Sequence, residues 1–225
     1  MSLESVYAKS KCVFPHKTFG KVGKPLLIML AGYPDNCTSG WGQDAIDNLA
    51  KDHRVICLCF PGYDRPQKNI PRWGWTLQQL LEGLHVTIEG LLESEEVKEF
   101  NFIIHDWGSF LGLCYENAYP ERILKVVCFD VGILKRPPIL SVLRILFYQL
   151  YFALGFMISM LVSKILGNLA LLFFGKFISW TPLGPCPHDT VNRGVLEVDM
   201  QMCYPYYHFW LGPNGVFRNR GTYLC

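Results

Sequence analysis

The chain has 225 residues, half of them hydrophobic and 14% aromatic, and its formal net charge is only +2. That is enough apolar material for one large domain, or a core with a modest insertion, and it excludes wholesale disorder. No basic block interleaved with aromatics occurs, which argues against nucleic acid as a partner.

In chain order, the N-terminus MSLESVYAKSKC is polar and has no apolar core of a signal peptide, so a cytoplasmic chain is expected. The run PLLIML (25–30) reads as a first strand ended by Ala31-Gly32. The segment 39–52 puts Trp41, Ala45, Ile46 and Leu49 on one helical face. A second strand, HRVICLCF (53–60), ends at Pro61-Gly62. A helix follows over 76–94, with Leu77, Leu80, Leu81, Leu84, Ile88, Leu91 and Leu92 at helical spacing. Thr76 followed by Gln79 fits a capping box at its start. FNFIIH (100–105) is the third strand and ends at Asp106; a helix over 108–122, broken near Pro120, leads to a fourth strand over 123–132.

Continuous apolar runs, rather than alternation, predict strands covered on both faces. The expected fold class is therefore α/β, a mostly parallel sheet with helices on both faces. After Asp130 the character changes. KRPPIL (135–140) reads as a linker, and 139–180 is strongly apolar, with no charge between Arg144 and Lys164. The stretch 145–163 has two readings. It is long enough to span a membrane, or it forms two cap helices broken at Gly155 that roof an apolar pocket. The division expected is a core over 1–134, a helical cap over 135–210 and a return toward the core over 211–225.

The nine cysteines have no CxxC pair and no Cys/His cluster. This argues against a zinc site and a disulfide framework, and for reduced thiols acting as small hydrophobes. The glycine-rich loops form neither GxGxxG nor a P-loop, so no cofactor and no metal are expected.

The most informative stretch is NFIIHDWGSFLG (101–112). It places a carboxylate where a buried strand meets a helix, and Asp106 is there either as a helix cap or as a reagent. His105 reads as a hydrogen-bonded core residue, and Asp35, beside Pro34, as a turn residue. The loops AGYPDN, PGYDRP and HDWG, each following a strand, together resemble the α/β-hydrolase fold. Within it they resemble the aspartate-nucleophile branch, the epoxide hydrolases and haloalkane dehalogenases.

That resemblance implies Asp106 as nucleophile on a tight elbow, with Gly108 keeping the turn free of clashes. It implies an oxyanion hole from the amides of Trp107 and Tyr33, the latter in a Gly32-Tyr33-Pro34 loop similar to the family's His-Gly-x-Pro. Ala31 stands where His is usual there, and Ile104 where the family has a small residue two positions before the nucleophile. Asp130 is the position for a triad acid. The substrate implied is a lipophilic epoxide, halide or ester, with proton donation from cap tyrosines among Tyr148, Tyr151, Tyr204, Tyr206 and Tyr207.

The family's base histidine follows its last strand. None of His16, His53, His85, His105, His188 and His208 has that strand-loop context, and the chain ends at Cys225. The expectation is a shortened family member that forms an alkyl-enzyme ester and turns it over poorly. The alternative is a non-catalytic relative that binds a ligand, a partner or a membrane surface. Membrane association through 139–180 fits either reading, and the oligomeric state stays open.

Overall fold

In the computed structural model, residues 12–64, 70–130, 138–174 and 199–217 are described. They group into two compact units: 12–64 with 70 and 77–130, and 71–76 with 138–174 and 199–217.

The first unit is built on a five-stranded sheet. Its strands are β1 (His16–Phe19), β2 (Leu26–Leu30), β3 (Arg54–Leu58), β4 (Phe100–His105) and β5 (Ile123–Phe129), and its helices are α1 (Gln43–Leu49), α2 (Leu77–Ser94) and α3 (Trp107–Ala118). The spatial order is β1-β3-β2-β4-β5. β1 pairs antiparallel to β3, and every other pairing is parallel. The α/β reading holds. β1 is absent from the four expected strands because HKTF is a short, mostly exposed segment with no apolar run to mark it.

The register explains why the loops matter. Leu30 of β2 lies beside Leu58 of β3 and Ile104 of β4, so the three strands end level with one another. The loops that follow them therefore emerge together at the carboxyl edge, where open α/β sheets carry their sites. β2 is buried along its whole length, as expected for a central parallel strand. β5 differs from the expectation of full cover. Last in the order, it leaves Leu124 56% and Phe129 50% exposed.

α1 is shorter than the helix expected over 39–52. Residues before it fold locally instead: Asn36 Oδ1 accepts the amides of Thr38 (3.0 Å) and Ser39 (2.9 Å), and Ser39 Oγ donates to Asp35 Oδ1 at 2.8 Å. Such side-chain turns compete with helix formation and delay its start. Asp35 is thus the turn residue its neighbours suggest. Cys12, Cys37, Cys57, Cys59 and Cys203 are buried, and burial pushes the Cys57 thiol up to about 12. They serve as small hydrophobes.

The second unit contains α4 (Ile139–Leu161), α5 (Lys164–Phe173) and α6 (Tyr204–Trp210). The apolar stretch is one continuous 23-residue helix, not two. Gly155 does not break it but gives room to Met200, whose Cε would meet an added Cβ at 2.5 Å. The turn comes instead at Ser163, whose Oγ accepts the Ile165 amide at 3.2 Å and caps α5.

Candidate active site at the end of the fourth strand

β4 ends at His105 and α3 begins at Trp107, so Asp106 alone makes the turn from strand to helix. It does so at φ 52° and ψ −126°. A non-glycine residue holds a positive φ only where its surroundings enforce it, at a cost of about 1–3 kcal/mol. Its carbonyl anchors the helix by accepting the amides of Ser109 (2.9 Å) and Phe110 (3.2 Å).

The carboxylate does something else. It makes no capping hydrogen bond; Oδ2 instead accepts the Tyr33 amide at 2.7 Å. Tyr33 lies in the loop after β2, so the carboxylate joins a neighbouring strand's loop to the first amide of its own helix, that of Trp107. A capping aspartate instead accepts the second or third amide of its own helix.

Two glycines make this approach possible. A Cβ on Gly32 would stand 2.3 Å from Asp106 Oδ2 and 2.5 Å from the Trp107 amide nitrogen. A Cβ on Gly108 would stand 2.3 Å from Leu30 O. The first lets the loop reach the carboxylate, and the second lets α3 settle against the end of β2. Pro34 follows Tyr33 through a cis peptide bond, and the Asp35 amide donates to Gly32 O at 2.9 Å, closing the loop on itself.

Ile104 is where the sequence departs from the family's small residue, and the fold accommodates it. Its side chain is fully buried against Gly112 of α3, where an added Cβ would lie 2.7 Å from Ile104 Cγ2. The small residue stands on the helix instead of the strand, so strand and helix still pack closely. Gly112 carries no motif and went unnoticed in the sequence. So did Ser109, a fully buried residue whose Oγ donates to Phe129 O at 2.9 Å and ties α3 to the end of β5.

Electrostatics at the turn are opposed. Asp106 keeps some surface open to solvent, yet burial of its carboxyl pushes the pKa up to about 6. The amides of Trp107 and Tyr33 and the charge of His105 pull it down, while Asp35 pushes it up. Donated N–H groups favour the ionised form and burial the neutral one. The balance leaves a carboxylate that is ionised at neutral pH and more basic than an ordinary aspartate.

Asp130, at φ 66° after β5, is brought to His105. Its Oδ2 accepts from His105 Nε2 at 2.8 Å, and its side chain is 75% exposed. The imidazole also lies edge-on to Trp41, centroids 6.1 Å apart. The other histidines within the described residues are elsewhere. His85 stacks on Tyr119 at 3.9 Å, His208 Nε2 bonds Trp73 O at 2.9 Å, His16 opens β1 and His53 immediately precedes β3. His188 lies outside the described residues. Among the described residues, no group of three or more His, Cys, Asp or Glu side chains is arranged to hold a metal.

Of the tyrosines singled out as candidate proton donors, Tyr151 is engaged with its own unit, its hydroxyl donating to Ala170 O at 2.8 Å. Tyr204 and Tyr206 are buried. Tyr207 borders a cavity of about 340 Å³ within the second unit, with Trp73, Met157, Leu161, Leu211 and Phe217. Its lining is apolar and aromatic, as small-molecule sites commonly are.

Comparison with known proteins agrees with the α/β fold. The family model described as "alpha/beta hydrolase fold" matches residues 25–159. The chain is 27% identical over 165 residues to Epoxide hydrolase 4 of Homo sapiens, which covers 69% of this chain and 44% of that protein. It is 36% identical over 119 residues to the cis-3-alkyl-4-alkyloxetan-2-one decarboxylase of Shewanella oneidensis, covering 51% of this chain and 35% of the relative. The chain thus spans less than half the length of these curated relatives. Among solved structures, a Bacillus megaterium epoxide hydrolase in complex with an inhibitor superposes with a TM-score of 0.60 at 19% identity, covering 87% of this chain and 68% of that one. The epoxide hydrolase VrEH1 of Vigna radiata superposes at 0.59 and 18%, covering 88% and 72%. At these identities the structures speak for the fold.

Proposed function

The chain belongs to the α/β hydrolase fold family, and on that premise we propose that Asp106 is a carboxylate nucleophile that opens a lipophilic, strained oxygen-containing ring. The observation that carries this reading is the 2.7 Å bond from the Tyr33 amide to Asp106 Oδ2. If Oδ1 attacks the ring carbon and the ring C–O bond breaks, Oδ2 becomes the carbonyl oxygen of an alkyl-enzyme ester. That oxygen already rests on the Tyr33 amide, and the Trp107 amide serves the same carboxyl. Negative charge gathering on Oδ2 when water adds to the ester is then stabilised by donors in place before the reaction.

Epoxide is the substrate class favoured, in keeping with the epoxide hydrolases among the relatives. The oxetan-2-one in the name of the Shewanella relative is a strained oxygen ring as well. No cofactor or metal enters the proposal. The second half-reaction needs a general base. Among the described residues the histidine nearest in sequence is His105, whose Nε2 is committed to Asp130. Asp130 is accordingly proposed to hold His105, and ester hydrolysis is proposed to be slow in this chain. The same placement of the histidines favours one second reading, a relative that binds a lipophilic ligand without turning it over. A cytoplasmic protein with a membrane-facing surface fits both.

Diol release from a lipophilic epoxide, followed at enzyme concentrations comparable to substrate, separates the two. The first reading expects a burst of epoxide consumption near one equivalent, slow diol release afterwards, and loss of both in Asp106→Asn. Binding of the epoxide with no consumption would leave the second reading standing.

A further inference from the structure

The second unit presents a large apolar surface that the reaction does not use. On α4, Leu143, Phe147, Leu154 and Ile158 recur at helical spacing along one stripe, and on α5 Ile165, Leu169 and Phe173 do the same. All are between 42% and 72% exposed. Scattered single apolar residues on a surface are ordinary, whereas a contiguous run on two successive helices marks a contact surface.

The polar groups of these helices are turned away from that surface. Gln149 Oε1 accepts the Trp210 indole N–H at 2.8 Å, and the Tyr151 hydroxyl donates to Ala170 O at 2.8 Å. Ser159 is buried and Ser163 caps α5. The opposite side of α4 is committed to the unit's own aromatic core: Phe152 lies 5.2 Å from Tyr206 and Phe156 lies 5.3 Å from Tyr207, ring to ring. Arg72 Nη2 also donates to Met160 O at 2.7 Å.

Length and composition alone would let α4 cross a bilayer, with a mean hydropathy of 1.7. A spanning helix, however, would draw its packing partners Tyr206, Tyr207 and Met200 into the hydrocarbon with it, and with them the charged Arg72 side chain bonded to Met160 O, at a cost of several kcal/mol. The charge pattern fits a surface position better. Residues 138–174 contain Arg144 and Lys164 and no acidic residue, and both cations are exposed, one near each end of the stripe. Cations beside an apolar face suit the interface of an anionic leaflet.

We propose that α4 and α5 form an interfacial docking surface for an anionic lipid membrane, lying in its plane and not spanning it. The proposal stands independently of the chemistry assigned to Asp106. It gives a lipophilic substrate dissolved in the bilayer a short route to the protein.

Co-sedimentation of the full chain with phosphatidylcholine vesicles, with and without phosphatidylserine, tests it. The chain should pellet with vesicles, more strongly when phosphatidylserine is present. The variant L143Q/L154Q/I158Q, altered only at exposed positions and checked for folding by circular dichroism, should lose affinity by roughly tenfold or more. Asp106→Asn should bind like the unaltered chain, which keeps a failed reaction distinct from failed docking. Four results would each overturn the proposal. The folded chain stays in the supernatant with both vesicles, or the triple variant binds equally well. The bound chain resists carbonate extraction, as a spanning helix would. Or the chain self-associates without lipid through the same three residues, making a second copy the occupant.

Discussion

The main-chain amide of Tyr33 sits 2.7 Å from Oδ2 of Asp106, across 73 residues of sequence. Everything else at the site follows from keeping that distance. Gly32 removes the side chain that would intrude, the left-handed turn at Asp106 aims the carboxylate, and the level ends of β2 and β4 set the spacing.

Gly32→Ala is therefore expected to damage chemistry more than stability. Its Cβ would meet the carboxylate at 2.3 Å and the Trp107 amide at 2.5 Å, so loop and turn must part. Ester formation should fall by about 100-fold or more, because a nucleophile displaced by about 1 Å costs on that scale. Stability should fall by about 1–3 kcal/mol, as for other overpacked sites. Single-turnover consumption of a lipophilic epoxide and a urea titration measure the two. A Gly32→Ala protein with unaltered single-turnover rate would contradict the placement of the loop.

Asp106 should also make stability depend on pH in an unusual direction. Its folded pKa, about 6, lies above the ordinary 3.8, so between those values the folded state binds more protons than the unfolded one. The contribution of this group is most favourable below pH 3.8 and is lost as pH rises to about 6. Asp106→Asn removes that loss and should be more stable than the unaltered chain at pH 7–8 by at most about 3 kcal/mol, with the difference shrinking at acid pH. Urea midpoints of the two proteins across that range check the sign. Ester formation should rise in the same window, half-maximal near pH 6, since only the ionised carboxylate attacks.

Much of this was legible in the sequence, and what was missed has a physical pattern. Apolar runs located β2, β3, β4 and β5, in β2 and β3 because central parallel strands are buried without alternation, and HDWG with AGYP pointed to the turn through their resemblance to the family's loops. β1 was missed for want of an apolar run. α1 was drawn too long because the Asn36 side chain competes for backbone amides that a periodicity count assigns to a helix. Gly155 reads as a break when the packing partner, Met200, is 45 residues away and invisible to any local pattern. The His105–Asp130 contact arises from pairing of β4 with β5, a relationship that no spacing rule supplies.

Ile104 and Gly112 should behave as a coupled pair. Gly112→Ala puts a Cβ 2.7 Å from Ile104 Cγ2 and should cost about 1–3 kcal/mol. Ile104→Ala should cost about 2–5 kcal/mol through the cavity it leaves. In the double variant the new methyl occupies part of that cavity, so the combined loss should fall short of the sum by about 0.5–3 kcal/mol. A double-mutant cycle by chemical denaturation measures this; strictly additive losses would mean that strand and helix do not meet there.

Asp130 is exposed, and its bond to His105 is of the kind that contributes little. Asp130→Asn should cost less than about 1 kcal/mol and leave the single-turnover rate of ester formation within about twofold, a shift of under 0.5 kcal/mol in barrier height. A loss of ester formation in this variant would place Asp130 in the first chemical step and contradict the role given to it.

The central claim, that Asp106 is the atom-bonding nucleophile, is tested most directly by mass. Purified chain is incubated with a lipophilic epoxide, quenched in acid and measured intact, then digested. The account predicts a gain equal to one epoxide, carried by the peptide containing Asp106 and absent in Asp106→Asn. No gain while the protein is folded and epoxide is bound, or a gain that persists in Asp106→Asn, would contradict it.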